Sequence, residues 1–225
     1  MSAAAPSGPD RAPDAAEIEA MFTQSDGSFR FARWGRPVAP VVFGTDDATL
    51  TAFKDGFAEV ARLTGQALAE TDPEMGANLM VFVCPDWAEL RGVPDLDRLL
   101  PGLDDLIPRL DAAAANQFRS FSFEPDGAIR FSTVLLRMDD SLAAEPALDL
   151  AMRQMVLTSL LWGPSAFRSR APVGHVGPQK APLVPPAVAA LIRAAYDPVL
   201  PAAATDASHS LRLAARTALL MEGLQ

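Results

Sequence analysis

The chemistry this chain can offer starts from two histidines, one cysteine and three aspartate pairs. His175 lies in a Pro/Gly loop, His209 near the start of a helix, and Cys84 at the end of an apolar run. No HExxH, HxH or CxxC occurs. A zinc site needs three or four close-set nitrogen or sulfur ligands, so no metal site and no cofactor is expected. Cys84 reads as a small buried hydrophobe. Nucleophilic catalysis has little support either. There is no GxSxG elbow, and Ser165 in Gly163-Pro164-Ser165 follows a helix, where a serine serves as a loop hydrogen bonder. Gly174-His175-Val176-Gly177 lacks the Gly-Lys-Ser/Thr end of a phosphate loop.

The carboxylate pairs are Asp46-Asp47, Asp104-Asp105 and Asp139-Asp140. Each precedes an expected helix, where capping and the helix dipole favour acids. Asp139-Asp140 follows a sheet strand and precedes the expected central helix, which makes it the best candidate for acid–base work, with His175 as its partner. Two features suit binding instead. Trp34, between Arg33 and Arg36, can dock the N-terminal segment or offer a cation–π surface. Arg168, Arg170 and His175 form a positive patch suited to an anion or an acidic partner surface. Charge reversal at Arg168 and Arg170 is expected to weaken partner binding with little loss of stability.

These residues need a scaffold. The chain has 225 residues, is 49% hydrophobic and 21% charged, and carries a net charge of −9. That suffices for one substantial domain and excludes disorder throughout. The negative charge disfavours nucleic acid as a partner. No apolar run is long enough to span a membrane. One cysteine excludes an intrachain disulfide. Only two of the 19 basic residues are lysines, an arginine bias in keeping with a GC-rich bacterial genome.

Residues 1–14 are small, polar and proline-rich, and are expected to form a flexible tail before one domain over 15–225. Helical spacing predicts helices over 15–23, 48–64, 103–116, 146–162, 186–195 and 207–221. The run over 36–44 reads as an edge strand because of Pro37 and Pro40, and 78–84 as a strand buried on both faces. Short helical turns are expected over 86–92 and 95–100. Alternation over 118–137 about Asp126-Gly127 predicts a β-hairpin. Prolines and glycines make 164–186 irregular. The order implies an α+β domain, a small mixed sheet with a β-hairpin packed against helices.

The pieces Arg33-Trp34-x-Arg36-Pro37-Val38, Ala77-Asn78-Leu79-Met80-Val81, the Asp126-Gly127 hairpin and Tyr196-Asp197-Pro198 follow one another in an order that resembles the DUF2927 family of bacterial proteins. The resemblance spans about residues 18–220. It implies a fold distantly related to zincin metallopeptidases, and an envelope or periplasmic location. In zincins a central helix carries the metal ligands. Here that helix reads DLAMRQMVLTSLLWG over 149–163, with no histidine and no glutamate. Gln154 and Thr158, one turn apart, are expected on its cleft face, where neither can hold zinc or deprotonate water. The resemblance thus implies a degenerate zincin-like fold without the activity.

The expectation is a non-catalytic accessory protein that binds a protein partner through Trp34, Arg168 and Arg170, without nucleic acid or a transmembrane segment. Envelope association follows from the resemblance, and a cytoplasmic location follows if the chain is the full-length product, because no signal peptide precedes it. The alternatives are a metal-independent hydrolase using the Asp139/Asp140–His175 pair, and a structural subunit of a larger assembly.

Overall fold

Leu79 and Val81 contribute to one hydrophobic cluster, and Phe82 and Cys84 to another. A strand sandwiched between two layers must divide its side chains in this way. The computed structural model describes residues 11–66 and 68–223. Its elements run α1 (Ala15–Phe22), β1 (Phe31–Ala32), β2 (Pro40–Phe43), α2 (Asp47–Thr64), β3 (Leu79–Cys84), a 3₁₀ helix (Trp87–Gly92), α3 (Leu96–Leu99), α4 (Leu103–Ala112), β4 (Gln117–Phe123), β5 (Ile129–Arg137), α5 (Asp140–Ala143), α6 (Ala147–Ser159), β6 (Gly174–Val176), β7 (Ala181–Leu183), α7 (Pro186–Ala195), β8 (Ala203–Ala204) and α8 (His209–Glu222).

The fold is α+β. Its main sheet has the order β2-β3-β5-β4, with β3 parallel to both neighbours and β4 antiparallel to β5. The hairpin about Asp126-Gly127 is present, and Gly127 takes the left-handed φ of 89° that its turn requires. One face of the sheet carries the larger core, with α2 and α6 against it. The other face carries a smaller core built with the 3₁₀ helix, α3 and α4. β2 lies at one edge, as its prolines imply, and β4 at the other.

Caps set the helix lengths. Asp46 accepts from the Thr49 amide and starts α2, and Gly65 in the left-handed conformation ends it. α2 crosses α6 at Gly56, where a Cβ would come within 2.8 Å of the Ala151 methyl. α6 is almost entirely buried, as expected of a central helix.

The structure departs from the sequence reading in several places, among them α4, which ends at Ala112 rather than at residue 116. α6 ends at Ser159 rather than at residue 162, because Leu160 bridges to Arg33 and the Leu161 amide donates to Ala32. The segment expected to be irregular folds into the β6–β7 hairpin. α5 intervenes before α6, so Asp139-Asp140 heads α5 and not the central helix. At the N-terminus, Arg11–Asp14 are held. Asp14 and Glu17 form a capping box, and Arg170 donates to the Arg11 carbonyl at 2.9 Å. The rest of the expected tail, residues 1–10, lies outside the described residues. Among the described residues, no helix is long and apolar enough to cross a membrane.

Candidate functional site

The β4–β5 register places Gln117 beside Leu136 and Arg119 beside Val134, so both polar side chains point toward α6. There Arg119 donates to the side-chain carbonyls of Gln117, at 2.8 Å, and Gln154. The Gln154 amide returns a hydrogen bond to Gln117 at 3.0 Å. Gln154 is fully buried. It therefore sits on the sheet-facing side of α6 rather than lining a cleft, and it holds an arginine.

Arg119 has an unusual environment. Among the described residues it has no carboxylate partner, and its Nε–H is buried without an acceptor. Burial, with Arg153 nearby, lowers its pKa to about 10, so it remains a cation at neutral pH. A buried charge without a counter-charge is costly unless something else compensates it. Arg119 borders a cleft of about 590 Å³ between β4 and the segment after α6. Trp162, Phe167 and the exposed Arg168 line the far side. Trp162 stacks on Phe22 at 5.2 Å and meets Phe167 edge-on at 4.9 Å. Gly163 lets this wall close against α1, since a side chain there would collide with the Thr23 carbonyl.

The cleft runs beside an unpaired edge. The Arg137 amide donates to the Asn116 carbonyl at 2.9 Å, which fixes the phase of the β4–β5 ladder. Phe118, Ser120 and Ser122 then exchange hydrogen bonds with β5, while the backbone groups of Gln117, Arg119 and Phe121 face outward. Among the described residues, no strand pairs with that edge.

The other residues singled out from sequence lie elsewhere. Trp34 is fully buried and donates through its indole N–H to the Thr158 carbonyl at 2.8 Å. It docks the chain and offers no surface to a partner. Thr158 bonds back to the Gln154 carbonyl at 2.8 Å and is also core, not cleft lining. Arg170 is 6% exposed and reaches both the Arg11 carbonyl and Glu17. It ties the chain together, so the expected patch reduces to Arg168.

The expected Asp139/Asp140–His175 pairing is not made. Asp139 caps α5, and its hydrogen bonds with Leu142, Ser141 and Asn116 hold its carboxyl at about 2. That value removes it as a general acid near neutrality. Asp140 is exposed in the first turn of α5. His175 meets Asp149 instead, with Nε2 at 2.5 Å from a carboxylate oxygen. Nearby Glu145 is raised in pKa chiefly by burial, and pairs with Arg153 at 2.5 Å.

Ser165 donates to the Ala20 carbonyl at 2.7 Å, a loop hydrogen bond. Cys84 is buried, and burial raises its thiol to about 11. Among the described residues, no group of three or more His, Cys, Asp or Glu side chains is placed to hold a metal ion. Sequence reasoning missed Arg119, Gln117 and Asp149. The signal for Arg119 was parity: it lies two residues before Phe121, and residues i and i+2 of a strand share a face.

No family model, curated protein or solved structure matches the chain.

Proposed function

We propose that this protein is a non-catalytic, peptidase-like binding protein that acts through protein–protein contacts. Its partner supplies an extended acidic segment, which adds as a strand to the outer edge of β4. The observation that carries this reading is Arg119, a half-buried guanidinium whose Nε–H is buried without an acceptor, held by two glutamine carbonyls and lacking a carboxylate partner among the described residues. An acidic side chain from a partner can supply the missing counter-charge. Arg168 across the cleft adds a second cation, and the outward backbone groups of Gln117, Arg119 and Phe121 supply the ladder. The peptidase-like part of the reading rests on the DUF2927 resemblance.

The test is a pull-down from solubilised bacterial lysate using wild-type and variant protein. Phe121→Leu keeps the outward N–H, and Phe121→Pro removes it without breaking a bond to β5. A stoichiometric partner is expected with wild type and Phe121→Leu. It should be lost with Phe121→Pro and weakened by about tenfold with Arg168→Glu, the scale of a charge-assisted contact. A partner retained by every variant, or no stoichiometric partner at all, overturns the reading.

The Asp149–His175 contact favours a second reading, a hydrolase in which His175 takes a proton from water while Asp149 orients its ring. Turnover of chromogenic esters that His175→Ala abolishes would support it.

A further inference from the structure

The face of the sheet away from α6 is only partly covered. Beside α4 it leaves a groove of about 1020 Å³. Met80, Phe118 and Phe131, one residue from each of three adjacent strands, contribute its floor, and Leu99 and Leu106 contribute its wall. Leu99 is 38% exposed, a large apolar side chain left open at the groove. The ionisable side chains that line the groove are three arginines, Arg98, Arg109 and Arg130, on a protein whose net charge is −9. Arg98 is paired with Asp95 at 2.9 Å and Arg130 with Glu74 at 3.3 Å. Arg109 has no ion pair among the described residues and is exposed in the last turn of α4.

We infer that this groove binds a long-chain acyl carboxylate, with its hydrocarbon on the sheet and its headgroup at Arg109 and Arg130. The apolar floor selects for chain, and the arginines select for an anion. A peptide is a poor fit. The floor is the face of a sheet, and backbone hydrogen bonds run in the plane of a sheet and not out of its face, so a peptide backbone laid there would leave its amides and carbonyls unpaired. A hydrocarbon chain has no such groups. The flexible Met75, Met80 and leucine side chains adapt to such a chain more readily than rigid walls would. The groove and the Arg119 cleft adjoin along β4 and share Phe118 and Phe121, but the groove's floor and its arginines belong to the other face of the sheet, so this inference does not rest on the partner-binding reading.

The experiment titrates the full chain with cis-parinarate, a fluorescent acyl carboxylate. Bound probe is then displaced with palmitate or with hexadecanol, which has the same chain without the charge. Saturable binding is expected, with palmitate displacing at least about tenfold better than the alcohol, the discrimination of a charge-assisted headgroup contact. Arg109→Ala with Arg130→Ala should bring the two competitors to near parity. Ser120→Trp, which fills the groove from β4, should abolish probe binding. Arg109 is exposed and Arg130 half-buried at the rim, outside the core, so that variant reports even where Ser120→Trp disturbs the fold. Non-saturable binding, equal displacement by acid and alcohol in the wild type, or an unchanged preference in the double variant would each overturn the inference.

Discussion

On the α6 side of β4 a guanidinium is half-buried, and the cleft around it is lined by amides and aromatic rings. On the α4 side the guanidinium groups stay at the rim and the floor is hydrocarbon. Both surfaces use one strand. Arg119 faces the cleft and Ser120 the groove, one residue apart. The difference lies in where desolvation has been paid. A buried charge has already lost its water, so it gains most from a partner that brings an opposite charge. A rim charge keeps its water, and steers and orients a ligand whose affinity comes from apolar burial. The layers behind the two surfaces differ as well. The larger core lies behind α6, and the smaller one is built with the 3₁₀ helix, α3 and α4.

The comparison breaks most severely at Trp34, which pins the end of α6 through the Thr158 carbonyl. Trp34→Ala should cost about 3–5 kcal/mol in chemical unfolding, a fall in Tm of about 10 °C for a chain of this size. Loss of binding at the cleft should accompany it. A change under about 1 kcal/mol would show that the α6 layer does not depend on this residue.

A smaller opening should distinguish the layers without mutation. Cys84 belongs to the smaller core, and its thiol is both buried and raised to about 11. Alkylation at pH 8 should therefore wait for an opening of the α3–α4 layer. The free energy of that opening should be lower than that of global unfolding. A labelling free energy equal to the global value would show that the two layers open as one unit.

What the sequence disclosed follows the range of the interactions involved. β3, the β4–β5 hairpin, α2 and α7 were legible because their signals are local: an apolar run, an Asp-Gly turn, and an Asp46 cap with a Gly65 stop. The end of α6 was not legible, because residues 160–162 are drawn into pairing with the segment around β1, more than a hundred positions away. The β6–β7 hairpin was hidden by prolines, and Pro182 is tolerated because its two-stranded sheet leaves every strand an edge. The candidate site was half legible. Gln154 was expected on a cleft face of α6 and is instead fully buried, bonded to Arg119 and Gln117 from another element, a meeting that one sequence does not announce. Trp34 was read as a docking residue or a partner surface, and Arg170 as part of a partner-binding patch, because tryptophan and arginine suit interfaces. Only the fold reveals that each is spent internally.

The charge at Arg119 offers a subtler test. Arg119→Met removes a half-buried cation while leaving Gln117 and Gln154 bonded to each other. Replacing buried charge with an apolar side chain of similar length is often neutral or stabilising, here by about 1 kcal/mol. Stability held or raised, with acidic-segment binding lost, would show that the charge is kept for binding. A loss of more than about 2 kcal/mol would instead mark Arg119 as a structural tie. The matched change at the exposed rim, Arg109→Met, should stay within about 0.5 kcal/mol.

The smallest effect lies outside both surfaces and calibrates them. His209 is buried against Phe31, with ring centroids 4.5 Å apart, and its Nε2 has no hydrogen-bond partner among the described residues. Burial, and secondarily Arg212, lowers its pKa below 6.5. The unfolded chain therefore binds a proton at this residue at a higher pH than the folded chain does. The histidine's contribution to stability is fully present above pH 6.5 and is lost as pH falls through the folded value. His209→Phe keeps the ring contact and removes the proton. Stability of the wild type should decline more steeply than that of the variant as pH falls below 6.5, and the two curves should run parallel above it. Parallel curves throughout would place the acid sensitivity elsewhere, and Glu145 beside the Asp149–His175 pair, raised by its own burial, would be the next residue to replace.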